Sequence, residues 1–518
     1  MYSDPAITSE KAHPRGLYLL FTVEMWERFS FYGMKAILIL YLTQALLGDN
    51  PGRGWSDGAG SILLGWYGGM AYLLPVIGGI IADKLLGTNR SMYIGGLLIS
   101  MGHIVLGLTG IGDLNHTKEG MSLFIFGLAL IVIGTGHFKP SVSVMVGQLY
   151  REHDPRRDGG FAIFYMGINV GAFLGQVVCG YLGEKIGWHW GFGAAAVGML
   201  SGLGLYTALR PKYLHGIGDA PAGVSNYAYA FAFLGILLAA GFAALFHFEV
   251  LAKANDSIGS FFTGNPTVGN VIIAAMVAAV LVAAIWFVSI QMPDDRGPTA
   301  CIFIFTVFNA IFWLAFEQAG TSLNLFARDN TDRMLAGWEV PASWLQNVNP
   351  FLIVAMSPLF AWFWSTLNRR GHEISQPMKI AIGLIFLGLG FIFMVFGGKF
   401  AAGGVKVSMF WLIALYFWIT VGELFLSPTG LSFVTKAAPV RFVSVLMGVW
   451  FVSSFVAHLA GGYIAATVEG IERGDTKLPW QIGGKGDFFM LFVVAGIASG
   501  VIIAIFTPLL KKLLHGRG

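Results

Sequence analysis

The stretch from Glu24 to Lys35, EMWERFSFYGMK, places four charged side chains near the middle of a run that is otherwise apolar and aromatic from Leu17 to Leu42. The run is long enough to cross a bilayer. Each charge at the centre of a membrane helix costs about 2.5–3.5 kcal/mol on insertion scales, so Glu24, Glu27, Arg28 and Lys35 must find one another or water. On a helix their spacings of three, four and eleven residues set them along one stripe facing the protein interior. Their charges sum to zero. The stripe reads as one wall of a hydrated cavity in which acid and base can trade a proton or a partner. The competing reading is a static network that locks two helices together.

Composition extends this reading to the whole chain. Of 518 residues 56% are hydrophobic and 12% charged, about half the charged share of a soluble domain, and the mean hydropathy is +0.69. The expected class is an all-α polytopic membrane protein. The 70 glycines and 43 phenylalanines suit close helix approach and lipid-facing or interfacial packing. The formal charge of +4 comes from short loops, not from a basic face, so no nucleic-acid partner is expected. No cleavable signal is expected either, because residues 1–16 are mostly polar or small and the first apolar run is too long and too charged. Cys179 and Cys301 both fall in apolar segments and read as small core residues, with no disulfide framework or metal site.

Apolar runs follow at roughly 58–81, 91–111, 121–149, 160–182 and 188–209, then at 227–250 and 268–290. The last six lie near 299–327, 342–366, 378–397, 407–434, 441–466 and 486–510, giving fourteen candidates arranged six, two, six. Two six-helix bundles are the expected halves of a transporter built from repeats. The expected domains are 1–210, a linker with two extra transmembrane helices at 211–297, and 298–518. Loop lysines and arginines, from Lys11 and Arg15 through Lys84, Arg90, Arg151, Arg156 and Arg157 to Lys511, Lys512 and Arg517, collect on one side. That side and both termini are expected to be cytoplasmic.

Further charges and polar groups punctuate the runs. Gly78-Gly79 and the stretch Asp83 to Arg90, with Gly87 between, lie at the cytoplasmic end of the second run; they resemble the signature loop of the major facilitator superfamily. The resemblance implies a conformational latch formed by Gly79, Asp83, Gly87 and Arg90. Lys139, in GTGHFKP, lies too deep to snorkel and requires a carboxylate or water, with Glu24 or Glu27 as candidates. His137, two residues away, faces elsewhere and reads as packed. Gly167, Gly171 and Gly175 form one smooth helix face beside Asn169. In the second half, Glu317 in FWLAFEQ and Glu423 in FWITVGEL are buried acids. Three cations with two acids in the first half, and two acids in the second, suit a substrate with a carboxylate at one end and an ammonium at the other.

Five motifs in register, ExxERFxxYG from Glu24, GTGxxKP from Gly134, FYxxINxG from Phe164, FWxxFEQ from Phe312 and GExxxSPxGL from Gly422, together resemble the proton-dependent oligopeptide transporter family, bacterial branch. The resemblance implies a major facilitator fold with fourteen transmembrane helices in a bacterial inner membrane. It implies symport of di- and tripeptides into the cytoplasm by alternating access, driven by the proton gradient with no cofactor and no obligate protein partner. On matching positions, Arg28 and Lys139 would face the peptide carboxylate, while Asn169 and Glu423 would hold its amino terminus. Glu24 and Glu27 would couple protonation to closure, and Glu317 would gate against Lys35. Tyr32, Tyr72, Trp313, Trp344 and Trp450 would line side-chain pockets.

The chain departs from the family pattern with Lys35 in place of arginine, Phe31 in place of tyrosine and Ser141 in place of asparagine. It also lacks the second-span histidine of animal relatives, so proton coupling would rest on carboxylates. The principal rival is transport of nitrate or another anion on the same fold, against which Glu423 and the ExxER pattern weigh. A membrane scaffold or a membrane enzyme is a further alternative, the latter without a metal cluster or nucleophile motif to support it.

Overall fold

The computed structural model describes residues 12–151, 154, 156–220, 227–372 and 374–516; Lys11 and Arg517 of the loop-charge tally lie outside them. Its helices follow the apolar runs, because in lipid the backbone must satisfy its own hydrogen bonds. In chain order they are α1 (Arg15–Thr43), α2 (Asp57–Ile81), α3 (Thr88–Leu108), α4 (Lys118–Gln148), α5 (Arg157–Tyr181), α6 (Trp188–Tyr213) and α7 (Ala228–His247). Next come α8 (Val250–Gly264), α9 (Pro266–Ser289), α10 (Pro293–Phe316), α11 (Ser322–Asp329), α12 (Val348–Arg369) and α13 (Gln376–Phe400). The series ends with α14 (Phe410–Ala437), α15 (Val443–Ala465), α16 (Val468–Glu472) and α17 (Gly486–Leu513). Among the described residues, twelve helical spans are long and apolar enough to cross a membrane. The charges of α1 keep it out of that count, and Phe410–Leu426 of α14 forms a shorter apolar stretch.

The chain divides into two compact units. One comprises Met1–Ser56, Met70–Ala243 and Leu335–Val354; the other comprises Asp57–Gly69, Ala244–Met334 and Ala355–Gly518. In the first unit α1 is enclosed by α5 and α6 through glycine seams. A side chain at Gly171 or Gly175 would collide with the carbonyls of Met25 and Phe29, and one at Gly198 or Gly202 would meet Phe29 and Trp26. The smooth α5 face read from the sequence is this contact. α2 approaches α4 in the same way, but the intimate glycine of its pair is Gly78, against the Gly136 carbonyl; Gly79 has ordinary room beside Pro140.

α2 and α5 each end in a wide π-type turn, Ala82–Leu86 and Leu182–Ile186. These turns are closed by Gly87 N–H to Ala82 O and Gly187 N–H to Leu182 O, both at 2.8 Å. At Gly87 the backbone turns left-handed, with φ 76°, a conformation open to glycine. α7 packs on the first unit, where Leu86, Ile94, Leu98, Leu130 and Ala239 form a core cluster. The Thr267–Ser289 span buries none of its apolar window, as expected of a helix that faces lipid.

The second unit departs from the expected runs in two places. The run 299–327 is broken: α10 ends at Phe316, a 3₁₀ turn covers Glu317–Gly320, and Thr321 (φ −121°, ψ −102°) precedes α11. Gln318 holds the break. Its amide donates to the carbonyls of Leu314 (3.2 Å) and Gly461 (3.1 Å), and its oxygen accepts from Ser322 Oγ at 2.7 Å. Residues 250–264, which lie between the expected runs 227–250 and 268–290, form α8 after Glu249 turns the chain at φ 60°.

The seam around α1 leads to a stability comparison. Gly175→Ala should lower the thermal unfolding midpoint of the detergent-purified protein, with the cost of about 1–3 kcal/mol typical of an overpacked interior. Gly204→Ala in α6, where an added Cβ meets nothing within 4 Å, should leave it unchanged or raise it. Scanning fluorimetry checks this, and equal midpoints for the two variants would refute a tight seam.

Candidate functional site

The α1 stripe is enclosed as its charge pattern requires. Glu24, Glu27, Arg28 and Lys35 are 3%, 1%, 3% and 8% exposed. Arg28 Nε is 3.1 Å from Glu24 Oε1 and also bonds Glu27 Oε2, so one guanidinium joins two carboxylates. Ser30 Oγ donates to the Glu27 carbonyl at 2.8 Å, and Arg28 lies over the Phe31 ring, 5.3 Å from its centroid. Glu24 Oε2, Glu27 Oε1 and Arg28 Nη2 are buried with no hydrogen-bond partner among the described residues. Two acceptors and a donor are thus left for a ligand or a proton.

Lys139 comes to this cluster from α4. Its ammonium lies 3.7 Å from the centroid of the Tyr72 ring, a cation–π contact, and it is within Coulomb reach of Glu24, Glu27, Arg28 and Lys35. Tyr72 is therefore the aromatic partner of Lys139. Tyr32 is half-buried and packs edge-on to Phe31 at 5.3 Å. Asn169 in α5 donates to the Tyr165 carbonyl one turn back, at 3.2 Å. His137 is packed: its Nδ1 lies 3.1 Å from Ser91 Oγ, and its ring stands edge-on to Phe231.

Trp344 belongs to the first unit as an anchor. Its indole N–H donates to the Val177 carbonyl at 3.0 Å, and its ring packs beside Trp338. Next to it, Glu184 of the α5 turn accepts from Ala342 N (2.7 Å), Ser343 N (2.9 Å) and Ser343 Oγ (2.5 Å). Sequence reading missed this clamp, because an acid in a short turn gives no sign of partners more than 150 residues away.

In the latch segment Gly87 shapes the turn, Asn89 N–H donates to the Gly218 carbonyl at 2.9 Å, and Tyr206 donates to Asn89 Oδ1 at 2.6 Å. Asp83 is exposed and Arg90 half-buried. No ion pair joins Asp83 to Arg90 among the described residues.

The second unit holds Glu317, Glu423, Trp313 and Trp450. Glu423 is 7% exposed on α14; the side chains of Ser427, Pro428 and Leu431 in the same motif lie outside those described. Trp313 donates to Asn309 Oδ1 at 3.2 Å, and Asn309 donates to Ser453 Oγ at 2.9 Å, tying α10 to α15. Trp450 covers Gly430, where any side chain would meet its ring. Glu317 Oε1 lies 3.1 Å from Nε2 of His458 on α15. The available signal for His458 was a lone histidine in an apolar span. Among the described residues no cluster of three or more His, Cys, Asp or Glu could hold a metal ion.

With this geometry in view, comparison with known proteins is informative. The sequence model of PTR2, the POT family, matches residues 89–480. The peptide transporter YePEPT of Yersinia enterocolitica is 36% identical over 98% of this chain and 96% of its own. A di-/tripeptide transporter of Lactococcus lactis is 33% identical over 97% of this chain and 96% of its own. A crystal structure of a mutant of the peptide transporter POT in complex with alafosfalin is 33% identical, with a TM-score of 0.78 and coverage of 97% of this chain and 96% of that one.

The triad on α1 makes a physical prediction. Arg28→Met strands two buried carboxylates, and breaking such a pair costs about 3–5 kcal/mol, so the thermal midpoint should fall sharply. Adding Glu24→Gln and Glu27→Gln to that variant should restore much of the loss. A midpoint unmoved by Arg28→Met would mean that the triad does not hold the fold.

Proposed function

The chain belongs to the POT family, and from that premise we propose that it carries di- and tripeptides into the cell together with protons, as a secondary transporter. The observation that carries this reading is the buried triad Glu24–Arg28–Glu27 with Lys139 beside it. Its unpartnered oxygens and nitrogen supply both a cationic seat for a carboxylate and acids able to take a proton. Peptide transport by the Yersinia and Lactococcus relatives supports the same substrate class.

In this reading Arg28 and Lys139 receive the peptide carboxylate, and Asn169 and Glu423 receive the amino terminus. Protonation of Glu24 or Glu27 removes a partner from Arg28 and leaves its guanidinium available to the substrate. Re-pairing of Arg28 or Lys139 with those acids expels proton and peptide on the cytoplasmic side. Glu317 and Lys35 form and break a gate on the opposite side. Tyr32, Tyr72, Trp313 and Trp450 give aromatic surface to side chains of varied size, and Trp344 contributes from its anchored position. Gly79, Asp83, Gly87 and Arg90 form the cytoplasmic latch.

The architecture that serves this cycle is two six-helix bundles of a major facilitator fold, α1–α6 and then α10, α12, α13, α14, α15 and α17, with α7 and α9 as the extra pair, making fourteen spans. The protein lies in a bacterial inner membrane with both termini in the cytoplasm.

The test is uptake of labelled dialanine into proteoliposomes under an imposed inward proton gradient. The intact chain should accumulate dialanine, and Glu24→Gln and Glu423→Gln should each abolish gradient-driven accumulation. Failure of the intact, folded protein to accumulate dialanine across a verified gradient would reject peptide symport and make nitrate the next substrate to assay.

A further inference from the structure

His458 is 4% exposed in the middle of α15, and its two ring nitrogens have different surroundings. Nδ1 lies 2.8 Å from the carbonyl oxygen of Ser454. A carbonyl can only accept, so Nδ1 carries a hydrogen. In the neutral ring Nε2 is then a bare lone pair, and it lies 3.1 Å from Glu317 Oε1, within ion-pair distance though outside hydrogen-bond alignment with it. Two lone pairs do not come this close in a buried site without a large penalty. One proton between them removes it, whether the state is written as imidazolium and carboxylate or as imidazole and carboxylic acid.

Glu317 stands at the C-terminal end of α10, where the negative end of the helix dipole stabilises a positive charge. The beginning of α2 presents glycines: a Cβ at Gly68 would strike the His458 ring, and one at Gly65 would meet its backbone carbonyl at 2.9 Å. The acid of that stretch, Asp57, is 3.7 Å from Arg328. Gln318, the neighbour of Glu317, is bonded to Gly461 and Leu314, and the own-helix neighbour of the ring is Ser454. Among the described residues of this unit, Glu317 is the acid within ion-pair distance of Nε2.

We propose that His458 and Glu317 together form a proton-carrying site of the transport cycle, with His458 a proton-binding residue. The inference rests on the symport reading above and deepens it. When a cation takes the Glu317 carboxylate the shared proton leaves to water, and when the proton returns that cation is released. No bond other than that to the proton forms or breaks.

The experiment compares the intact chain with His458→Gln, Glu317→Gln and the double variant in proteoliposomes, using dialanine as the probe. Two assays are run across a pH series: accumulation driven by an inward proton gradient, and counterflow exchange without a gradient. Glutamine can donate to Glu317 and fill the space but cannot release a proton. His458→Gln should therefore lower gradient-driven accumulation about tenfold or more, within the usual range of coupling between linked sites. Counterflow should fall far less and lose its pH dependence, and the double variant should be no worse than Glu317→Gln alone. Wild-type accumulation and pH profile in His458→Gln would overturn the proposal. So would an equal fall in both assays for a folded, monodisperse variant, because that is the signature of a packing role. Absence of both accumulation and counterflow in the intact chain would instead overturn peptide transport itself, and the proposal with it.

Discussion

One guanidinium held by two carboxylates inside an apolar helix is the constraint from which the first unit is built. Charges taken out of water are tolerated only where opposite charge and hydrogen bonds replace the solvent. A helix that carries Glu24, Glu27, Arg28 and Lys35 therefore cannot face lipid on that side and must be closed in by neighbours. The closing is done with glycine. Gly171 and Gly175 of α5, and Gly198 and Gly202 of α6, bring two helices against the backbone of α1. That approach buries the stripe and also fixes Arg28 between its acids. Charge pattern and glycine pattern, far apart in sequence, are thus two halves of one requirement.

The second unit meets its buried acids differently. It places Glu317 where α10 stops, against an imidazole on α15. The stop is held by Gln318, whose amide bonds the end of α10 to the Gly461 carbonyl of α15. The residue next to the acid therefore sets the register between the two helices that make the pair. A broken helix at membrane depth is tolerated only where its freed backbone groups are satisfied by protein or line a cavity, and Gln318 accounts for part of that satisfaction.

Helix positions were legible in the sequence because a lipid-spanning backbone leaves one economical solution, and runs of twenty or more apolar residues mark it. The α1 stripe and the α5 glycine face were legible for the same reason, since each is a periodic pattern inside a single helix. What escaped was the information that lives between segments. The break after Phe316 depends on Gln318 meeting α15, the Glu184 clamp on residues 342 and 343 depends on a contact across the fold, and His458 gains meaning only beside Glu317. α8 falls between the apolar runs for a local reason, because its polar side chains break the apolar pattern although its backbone is helical. In the latch segment Asp83 is exposed, while Gly87 and Asn89 make the contacts that hold the turn.

The charge arithmetic of the first unit bears on the proposed coupling of peptide and proton. Glu24, Glu27, Arg28 and Lys35 sum to zero, and Lys139, close enough to feel all four, leaves the cluster with one positive charge. A buried cluster held near neutrality resists any change that adds net charge, since the interior screens poorly. In the proposed cycle a peptide carboxylate at Arg28 and Lys139 would add one negative charge, and a proton on Glu24 or Glu27 would cancel it. Each arrival makes the other less costly, and because linkage is reciprocal, departure of either weakens the hold on the other. Coupling on this reading is a property of the sum of the charges. It therefore tolerates peptides of many sequences, whose ends are alike in charge while their side chains differ.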